Sequence, residues 1–459
     1  MKLPDGPKTP SLFQLINWIA RPFKYLEECA AKYGDIYTMR LFGFPPIVFV
    51  ADPQLIKEIF SNDTKYFDVG RSNEIFRPLF GDNSILLMDG SRHKKERKLL
   101  MPPFHGEKVK SYAEAIVKIT EEVASSWQVN KPFIARDATQ EITFKVIMQT
   151  VFGLSEGEKY QAIKPLLVEM LEASASPIKS TIIFFKFLQV DLGPWSPWGK
   201  YVSNRNKLYD LLQTEMDERR SNPNKLGNDI LSLMLTATDE DGQPMSDEQL
   251  KDELMTLLSA GHETTATALA WAFYWLEKIP QVKEKLLQEI ESLGENPDPI
   301  ALSRLPYLTA FCQETLRIYP VVLTALARVT KEDVEIMGRK FAAETNLIPS
   351  IYSTHHREDL YPNSKEFKPE RFLERQYSSY EFLPFGGGAR LCLGYALATL
   401  EMKLVIATIV SQYNLELADN KAIEPMRRGG TMTPSNGVPL VMTGLRETKK
   451  ADLVAGQSK

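Results

Sequence analysis

The fold of this chain is predicted best from one stretch of its sequence, Phe385-Gly386-Gly387-Gly388-Ala389-Arg390-Leu391-Cys392-Leu393-Gly394. Its three consecutive glycines have no Cβ atoms, so the backbone there can lie close against a flat group. Arg390 and Cys392 project from the same short loop. We interpret the stretch as a cradle for a planar, anionic ligand. A buried, inert cysteine is the alternative for Cys392 taken alone.

The residues after Gly394 predict a helix. Apolar side chains recur at helical spacing from Tyr395 to Ile406, so Cys392 is expected just ahead of a helix N-terminus. The free N–H groups and the dipole at such a position favour a thiolate over a thiol. A thiolate directed at a flat cofactor indicates axial ligation of haem iron. Cys392 is therefore the candidate metal ligand.

The loop resembles the haem-binding loop of the cytochromes P-450, whose pattern is Phe, two residues, Gly, one residue, Arg, one residue, Cys, one residue, Gly. All fixed positions are filled, by Phe385, Gly388, Arg390, Cys392 and Gly394. The resemblance covers residues 10–446 and implies one haem b (iron protoporphyrin IX). It also implies a mainly α fold with a small β-rich region, in which a long central helix crosses the haem. Residues 1–446 are then expected to form a single catalytic domain, and 447–459 a disordered polar tail.

The central helix is predicted to begin after Ser246, which with Gln249 forms a capping box, and to run to Ile279, ahead of a proline. Within it, the stretch Ala260-Gly261-His262-Glu263-Thr264-Thr265 presents a face of small residues. Tight helix packing is one explanation of that face. The stretch also resembles the oxygen-binding kink of the family. The resemblance implies that Ala260 and Gly261 lie against the cofactor, that Thr264 hydrogen-bonds the dioxygen substrate, and that Glu263 supplies protons through water.

Haem carries two propionates, so cationic or N–H partners are expected at its rim. By resemblance the candidates are Arg390, His93, Arg97 and Arg328, and Phe385 and Gly386 are expected to border the cofactor. A solvated surface charge is the alternative for each cation. The Glu-x-x-Arg of the family matches Glu314 and Arg317, and its third member matches Arg371. We interpret these three as a structural lock rather than as catalytic residues.

Composition limits the classes of partner. The chain has 459 residues, a net charge of −4 and three scattered cysteines. Nothing in this balance indicates nucleic acid or an anionic membrane as a partner, so any basic patch must be local. The N-terminal residues lack the apolar core of a secretory signal, and no later stretch reads as a membrane anchor. We therefore expect a cytoplasmic protein, by resemblance of the bacterial type, and a monomer.

The expected reaction is insertion of one oxygen atom from O₂ into a C–H bond. The two electrons would come through a separate ferredoxin or flavodoxin with its reductase, and we hypothesise that this donor docks at Lys94, Lys95 and Lys98. The apolar stretches 66–88 and 177–199 favour a lipophilic substrate, with long-chain fatty acids or alkanes first and terpenoids next. A haem-thiolate isomerase or peroxygenase stays open, although Glu263 and Thr264 count against it. A haem-binding sensor module is the third class.

Overall fold

The computed structural model describes residues 2–175 and 189–446. Much of the predicted apolar stretch 177–199 and the whole predicted tail 447–459 lie outside the described residues. Over the described part the chain is mainly helical with small β-sheets, which confirms the predicted fold class.

The described α-helices are numbered in chain order. They are α1 Ser11–Ala20, α2 Pro22–Tyr33, α3 Pro53–Ser61, α4 Asp63–Tyr66, α5 Arg77–Phe80, α6 Gly90–Leu100, α7 Gly106–Lys110, α8 Ala113–Ser125, α9 Ala135–Phe152, α10 Glu158–Ala175, α11 Pro197–Ser221, α12 Ile230–Thr236, α13 Asp247–Lys278, α14 Pro280–Glu291, α15 Pro299–Ser303, α16 Pro306–Ile318, α17 Ile351–His355, α18 Arg371–Glu374 and α19 Tyr395–Gln412.

The strands form small sheets at the edges of the helical body. They are β1 Ile36–Met39, β2 Ile47–Val50, β3 Phe67–Asp68, β4 Pro132–Ile134, β5 Arg328–Thr330, β6 Val334–Ile336, β7 Arg339–Phe341, β8 Asn346–Pro349, β9 Tyr413–Leu417, β10 Pro425–Arg428, β11 Thr431–Pro434 and β12 Pro439–Leu445. The largest sheet has the order β1-β2-β8-β5-β3. Its β1–β2 hairpin pairs Ile36 with Val50 and Met39 with Ile47, in two short apolar runs that have Gly43, Pro45 and Pro46 between them.

The central helix is α13. Ser246 accepts a hydrogen bond from the N–H of Gln249, and the Gln249 side chain accepts one from the N–H of Ser246, so the predicted capping box forms. The helix ends at Lys278, one residue before the predicted end. Its C-terminal half is buried on all faces and contacts α9, α19 and α16. This packing fixes the helix across the core and leaves part of its middle accessible, as described below.

The predicted structural lock is present behind α16. Glu314 and Arg317 are both fully buried, and the Arg317 guanidinium donates to Glu314 at 2.6 and 2.8 Å. Arg371 donates to the same carboxylate at 3.0 Å. Arg317 also donates to the carbonyls of His355 and Ser364, both at 2.9 Å. The lock therefore ties α16 to the chain segment that leads into the cysteine loop.

Two helices bear on contact with membranes. The sequence interpretation missed α1, a short helix after the prolines of the N-terminal segment, whose exposed apolar residues lie on one face. Among the described helices of at least 18 residues, α19 alone is apolar enough to span a bilayer by composition, and 61% of it is buried inside the fold. Such burial is ordinary for the core helix of a globular protein.

Candidate haem-thiolate site

The cysteine loop folds back on itself through backbone hydrogen bonds. The N–H of Cys392 donates to the carbonyl of Phe385 at 3.0 Å, and that of Leu391 to Gly388 at 3.2 Å. Gly386 and Gly388 have φ values of +69° and +67°, a region that side chains disfavour. The Phe385 ring packs on the main core near Tyr395. The loop thus delivers Cys392 two residues before the N-cap of α19, as predicted.

The Cys392 side chain borders an internal space. It has exposed surface, yet it lies deep enough that burial raises the pKa of its thiol. The N–H of Gly394 and the nearby Arg97 guanidinium act in the opposite direction and lower that pKa. A side chain that is both accessible and surrounded by protein lines a cavity. The cavity wall offers the sulfur two groups that stabilise its anionic form.

The glycines of the loop lie against the N-terminal part of the chain. A Cβ at Gly387 would come within 2.4 Å of the Phe60 ring, and one at Gly388 within 2.3 Å of the Asp63 carboxylate. Asp63 is buried and accepts a hydrogen bond from the N–H of Ala389 at 3.0 Å. These contacts account for the two glycines by packing within the protein.

Arg328 strengthens these contacts of Phe60 and Asp63 with the cysteine loop, and we call the whole arrangement the clamp. It is fully buried and donates to both oxygens of Asp63, at 2.8 and 3.0 Å, to the Gly387 carbonyl at 3.0 Å and to the Leu326 carbonyl at 2.6 Å. Because a guanidinium has five N–H groups, these contacts use most of its capacity. In this structure Arg328 therefore supports the cysteine loop. Its predicted contact with a propionate stays a prediction.

Arg390 is held from the other side of the loop. Its guanidinium donates to the carbonyls of Ile85 and Met88 and to Asp89 at 2.7 Å. Asp89 in turn accepts from the backbone N–H groups of Val69 and Gly70, at 2.7 and 2.9 Å. Burial lowers the pKa of Arg390 to about 10, so it stays cationic at neutral pH. Arg390, which we predict to bind a propionate, thus also links the segment before α6 to the cysteine loop through hydrogen bonds.

His93 and Arg97 on α6 have a different environment. Neither side chain hydrogen-bonds to any of the described residues, although His93 is buried and Arg97 half-buried. Burial lowers the pKa of both, and the charges of Arg390 and Arg97 lower that of His93 further, to about 4. The structure therefore brings His93, Arg97 and Arg390 together beside Cys392. Two of these three donors lack an acceptor within the described protein.

The middle of α13 borders a cavity too. Ala260 is exposed and Thr264 half-exposed, although the residues on either side of this stretch belong to the core. The Thr264 hydroxyl donates to the Ala260 carbonyl at 2.6 Å. Gly261 faces α9, where a Cβ would come within 2.4 Å of Ile147. Close packing of α13 on α9 thus explains Gly261, and its contact with a cofactor stays a prediction.

Glu263 is held by groups that the sequence did not reveal. Its carboxylate accepts hydrogen bonds from Arg136 and, at 2.9 Å, from Gln140, both on α9. Arg428 lies 3.9 Å away. The carboxylate is only partly buried, so water can reach it. Two α9 side chains therefore hold the Glu263 carboxylate, while the Thr264 hydroxyl is held by the Ala260 carbonyl of its own helix.

These features fit the predicted haem. An accessible sulfur can ligate iron, and the donors on α6 that lack acceptors suit two carboxylates at the rim. Gly394 has an ordinary φ, and a Cβ there would meet no described atom within 4 Å, so packing against the described protein does not account for this glycine. Cys392, His93, Arg97 and Arg390 are the residues that would hold the cofactor.

Sequence reasoning missed Asp63, Asp89 and Arg136. Each is a single charged residue in a stretch without a motif, and its partner lies far along the chain. Asp63, for example, is 326 residues from Ala389. The Asp89-Gly90 turn before the basic helix α6 is the one weak signal that could have drawn attention to Asp89. The others could be found only in three dimensions.

Substituting Asp63→Asn is expected to loosen the cysteine loop. The change removes the charge opposite Arg328, which leaves a buried guanidinium partly unsatisfied, at a cost of about 1.5–3 kcal/mol. We expect haem transfer to apomyoglobin to become about tenfold faster or more. Asp68→Asn is the control, because Asp68 meets Lys331 at 3.6 Å in a partly exposed pair. Equal release rates in the two variants would contradict the clamp.

Comparison with known proteins identifies the family. The model of the family cytochrome P-450 matches residues 4–441. A putative cytochrome P-450 135B1 of Mycobacterium tuberculosis is 31% identical over 471 aligned residues, which cover 100% of this chain and 95% of the relative. A putative cytochrome P-450 138 of Mycobacterium bovis is 30% identical, with 96% of each chain covered. A solved structure, retinoic acid bound cyanobacterial CYP120A1, matches with a TM-score of 0.83 at 26% identity, over 97% of this chain and 100% of that chain. Because sequence and fold match the family over nearly the whole length, this chain belongs to the cytochrome P-450 family of haem-thiolate monooxygenases.

Proposed function

We propose that this monooxygenase hydroxylates a lipophilic molecule, with long-chain fatty acids or alkanes as the first candidates and terpenoids next. The observation that carries the proposal is the segment 75–87, which is rich in apolar side chains and hydrogen-bonds the central helix α13. Its half-buried side chains include Phe76 and Phe80, whose ring centroids lie 6.1 Å apart. An apolar wall binds substrate by removing apolar surface from water and selects against polar molecules.

This segment is fixed to the central helix. Glu253 accepts a hydrogen bond from the N–H of Ile85 at 2.6 Å, and Asp252 one from the N–H of Asn83 at 2.9 Å. Glu253 and Thr264 are eleven residues apart, which places them on the same face of α13 and about 16 Å apart along its axis. The apolar segment therefore covers one end of the face whose middle borders the cavity. A long, narrow molecule suits that arrangement.

The charged residues of this region favour a neutral or weakly anchored substrate. Arg71 pairs with Glu344, and Arg77 pairs with Glu74 and Asp82, so both guanidinium groups of this segment are engaged in ion pairs on the surface. The structural neighbour CYP120A1 was solved with retinoic acid, an isoprenoid acid, which supports including terpenoid acids among the candidates. All of these candidate substrates have a large apolar surface.

The proposed roles of the chain's own groups come from the family resemblance and are compatible with their positions. When bound, haem supplies iron that activates O₂, with electron density donated by its thiolate ligand. Cys392 would provide that thiolate, while His93, Arg97 and Arg390 would hold the propionates. Glu263 would take protons from water, and Thr264 would pass them toward the site where dioxygen binds. In the overall reaction, R–H and O₂ react with two electrons and two protons to form R–OH and one molecule of water.

The electrons come from a separate donor, and we propose a ferredoxin or flavodoxin. The predicted docking lysines on α6 are partly neutralised, because Lys95 pairs with Asp239 and Lys98 with Glu240. Lys94 adds its charge beside the same acidic loop. A donor that docks here must therefore compete with that loop. A cytoplasmic location and a monomeric state are parts of the same proposal.

The experiment is a titration of haem-loaded protein with fatty acids of graded length, alkanes and terpenoids, including retinoic acid. We expect the Soret band to shift from low to high spin as a substrate displaces water from the cavity, with affinity rising about fourfold per added methylene while the chain stays buried. Shifts with terpenoids alone would reassign the substrate class. Shifts with polar molecules but with none of the lipophilic ones would refute the proposal.

A second measurement separates the alternative classes. A monooxygenase requires O₂ and electrons for product formation, whereas an isomerase or peroxygenase forms product with peroxide and no electron donor. A sensor module forms no product under either condition. Product formed at the same rate with and without the electron donor, when peroxide is present, would favour the peroxygenase.

A further inference from the structure

An apolar surface with a cationic rim lies at the N-terminal end of the fold, and we call it the α1 patch. Its apolar members are exposed side chains of α1 and of the β1–β2 turn: Leu12, Phe13, Ile16, Ile19, Phe42 and Phe44. At about 100° per residue, the four on α1 fall within about 120° of the helix circumference. The opposite face of α1 carries Gln14, Leu15 and Trp18 and packs on the protein. Large apolar side chains grouped in this way mark interaction sites.

The orientation of α1 is fixed by hydrogen bonds, so the exposure is a property of the fold. Gln14 is buried, and its amide donates to the carbonyls of Pro7 and Thr9 at 3.0 and 2.7 Å. The Gln14 side-chain oxygen accepts from the N–H of Arg40 at 2.9 Å. The turn after β1 is tied to the same helix, because the N–H of Phe42 donates to the carbonyl of Ser11 at 3.2 Å. A polar residue thus faces inward while the apolar ones face solvent.

A groove with cationic walls adjoins the patch. Residues 2–9 run along β1, where the N–H of Thr38 donates to the Asp5 carbonyl at 3.1 Å. Between this segment and α1 lies a cavity of about 470 Å³ whose lining includes Lys2, Lys8 and Arg40. Lys2 lies 3.6 Å from Asp5, whereas Lys8 and Arg40 form no ion pair with the described residues. The rim is therefore positive on a protein whose net charge is −4.

We propose that the α1 patch docks this protein on the surface of a bilayer that contains anionic phospholipid. The apolar side chains enter the boundary between headgroups and acyl chains, and the cations of the groove take the headgroup phosphates. A second copy of the chain would bring the same cationic rim against itself in a twofold contact. An acidic soluble protein would match the rim but would leave the large apolar face without a partner. An anionic bilayer provides an apolar region for the exposed side chains and phosphate groups for the cationic rim.

The test is co-sedimentation of the full-length, haem-loaded protein with vesicles. We expect binding to vesicles with about one quarter phosphatidylglycerol, weaker binding to phosphatidylcholine alone, and release by salt because the attraction to anionic lipid is screened. Phe13→Ser with Ile16→Ser is expected to lower the affinity at least about tenfold, since two apolar side chains leave the acyl boundary. Lys8→Glu with Arg40→Glu is expected to abolish the preference for phosphatidylglycerol.

The matched control is Val129→Ser with Met337→Ser. These side chains are 52% and 57% exposed, against 59% and 50% for Phe13 and Ile16, but they lie on other elements. We expect this variant to bind vesicles like the wild type. Failure of the wild type to bind any vesicle, or equal binding by the Phe13 and Ile16 variant, would overturn the proposal. The proposal would also be overturned if the wild type formed a dimer without vesicles and the Phe13 and Ile16 variant were monomeric. The Soret spectrum of each variant checks its fold, and the substrate titration above is independent of the outcome.

Discussion

Replacing Cys392 by serine is expected to abolish monooxygenase turnover, with a loss of at least about 100-fold, more than the outer partners of a metal ligand usually contribute. Serine is nearly isosteric, and the loop is closed by backbone hydrogen bonds such as that from the N–H of Cys392 to Phe385. The loop should therefore keep its shape. What is lost is the sulfur that borders the cavity, and with it the electron donation that a bound haem would need for O–O cleavage.

The measurement is the Soret spectrum of the reduced, carbon monoxide-bound protein beside product formation. We expect Cys392→Ser to lose the spectrum typical of thiolate ligation. Cys312→Ala is the control, because Cys312 is buried on α16 and packs in the core. It should keep that spectrum and lose only about 1 kcal/mol of stability. A thiolate spectrum retained in Cys392→Ser would show that another residue ligates the iron.

The largest effect on stability is expected from Arg317→Met. Glu314 then keeps its charge in a fully buried position and loses the partner at 2.6 Å, while the carbonyls of His355 and Ser364 lose their donor. Breaking a buried pair by removing one partner costs about 3–5 kcal/mol. We expect the midpoint of denaturant unfolding, followed by circular dichroism, to fall accordingly, and the haem yield on expression to fall with it.

The control for this variant is Arg21→Met. Arg21 pairs with Glu28 at 2.8 Å, but both side chains are more than 40% exposed. Such a pair contributes about 0–1 kcal/mol because water screens it. Similar losses in the two variants would mean that Arg317 is an ordinary ion pair and that the lock does not hold the segment before the cysteine loop.

Local signals in the sequence predicted much of the fold. The capping box at Ser246 and Gln249 and the proline after Ile279 predict α13 to within one residue, because caps act over a single helical turn. The β1–β2 hairpin follows from two short apolar runs that are separated by Gly43, Pro45 and Pro46. The cysteine loop is recognised because its glycines, arginine and cysteine are contiguous. In each case the physical cause lies within about ten residues of chain.

Other features could not be predicted because their causes are distant in sequence. Whether Arg328 meets a propionate or Asp63 depends on a pairing over 265 residues. The restraint of Glu263 by Arg136 depends on the packing of α13 on α9. The exposure of α1 is a further case, because its apolar face is turned to solvent, against the usual rule that apolar periodicity marks a buried face. Periodicity alone therefore does not show whether an apolar helix face packs on the protein itself or remains exposed to solvent.

The contacts of Phe60 and Asp63 with the cysteine loop also determine when the cofactor site can form during synthesis. Asp63 emerges from the ribosome 326 residues before Ala389, which at 5–20 residues per second is a delay of roughly 15–65 s. During that time Phe60 and Asp63 have no cysteine loop to contact, and Asp63 gains Arg328 as a partner before it gains the N–H of Ala389. The thiolate pocket is completed only when nearly the whole chain has been made. Haem capture is therefore a late event in the biogenesis of this protein, and a nascent chain that stalls before residue 389 cannot retain it.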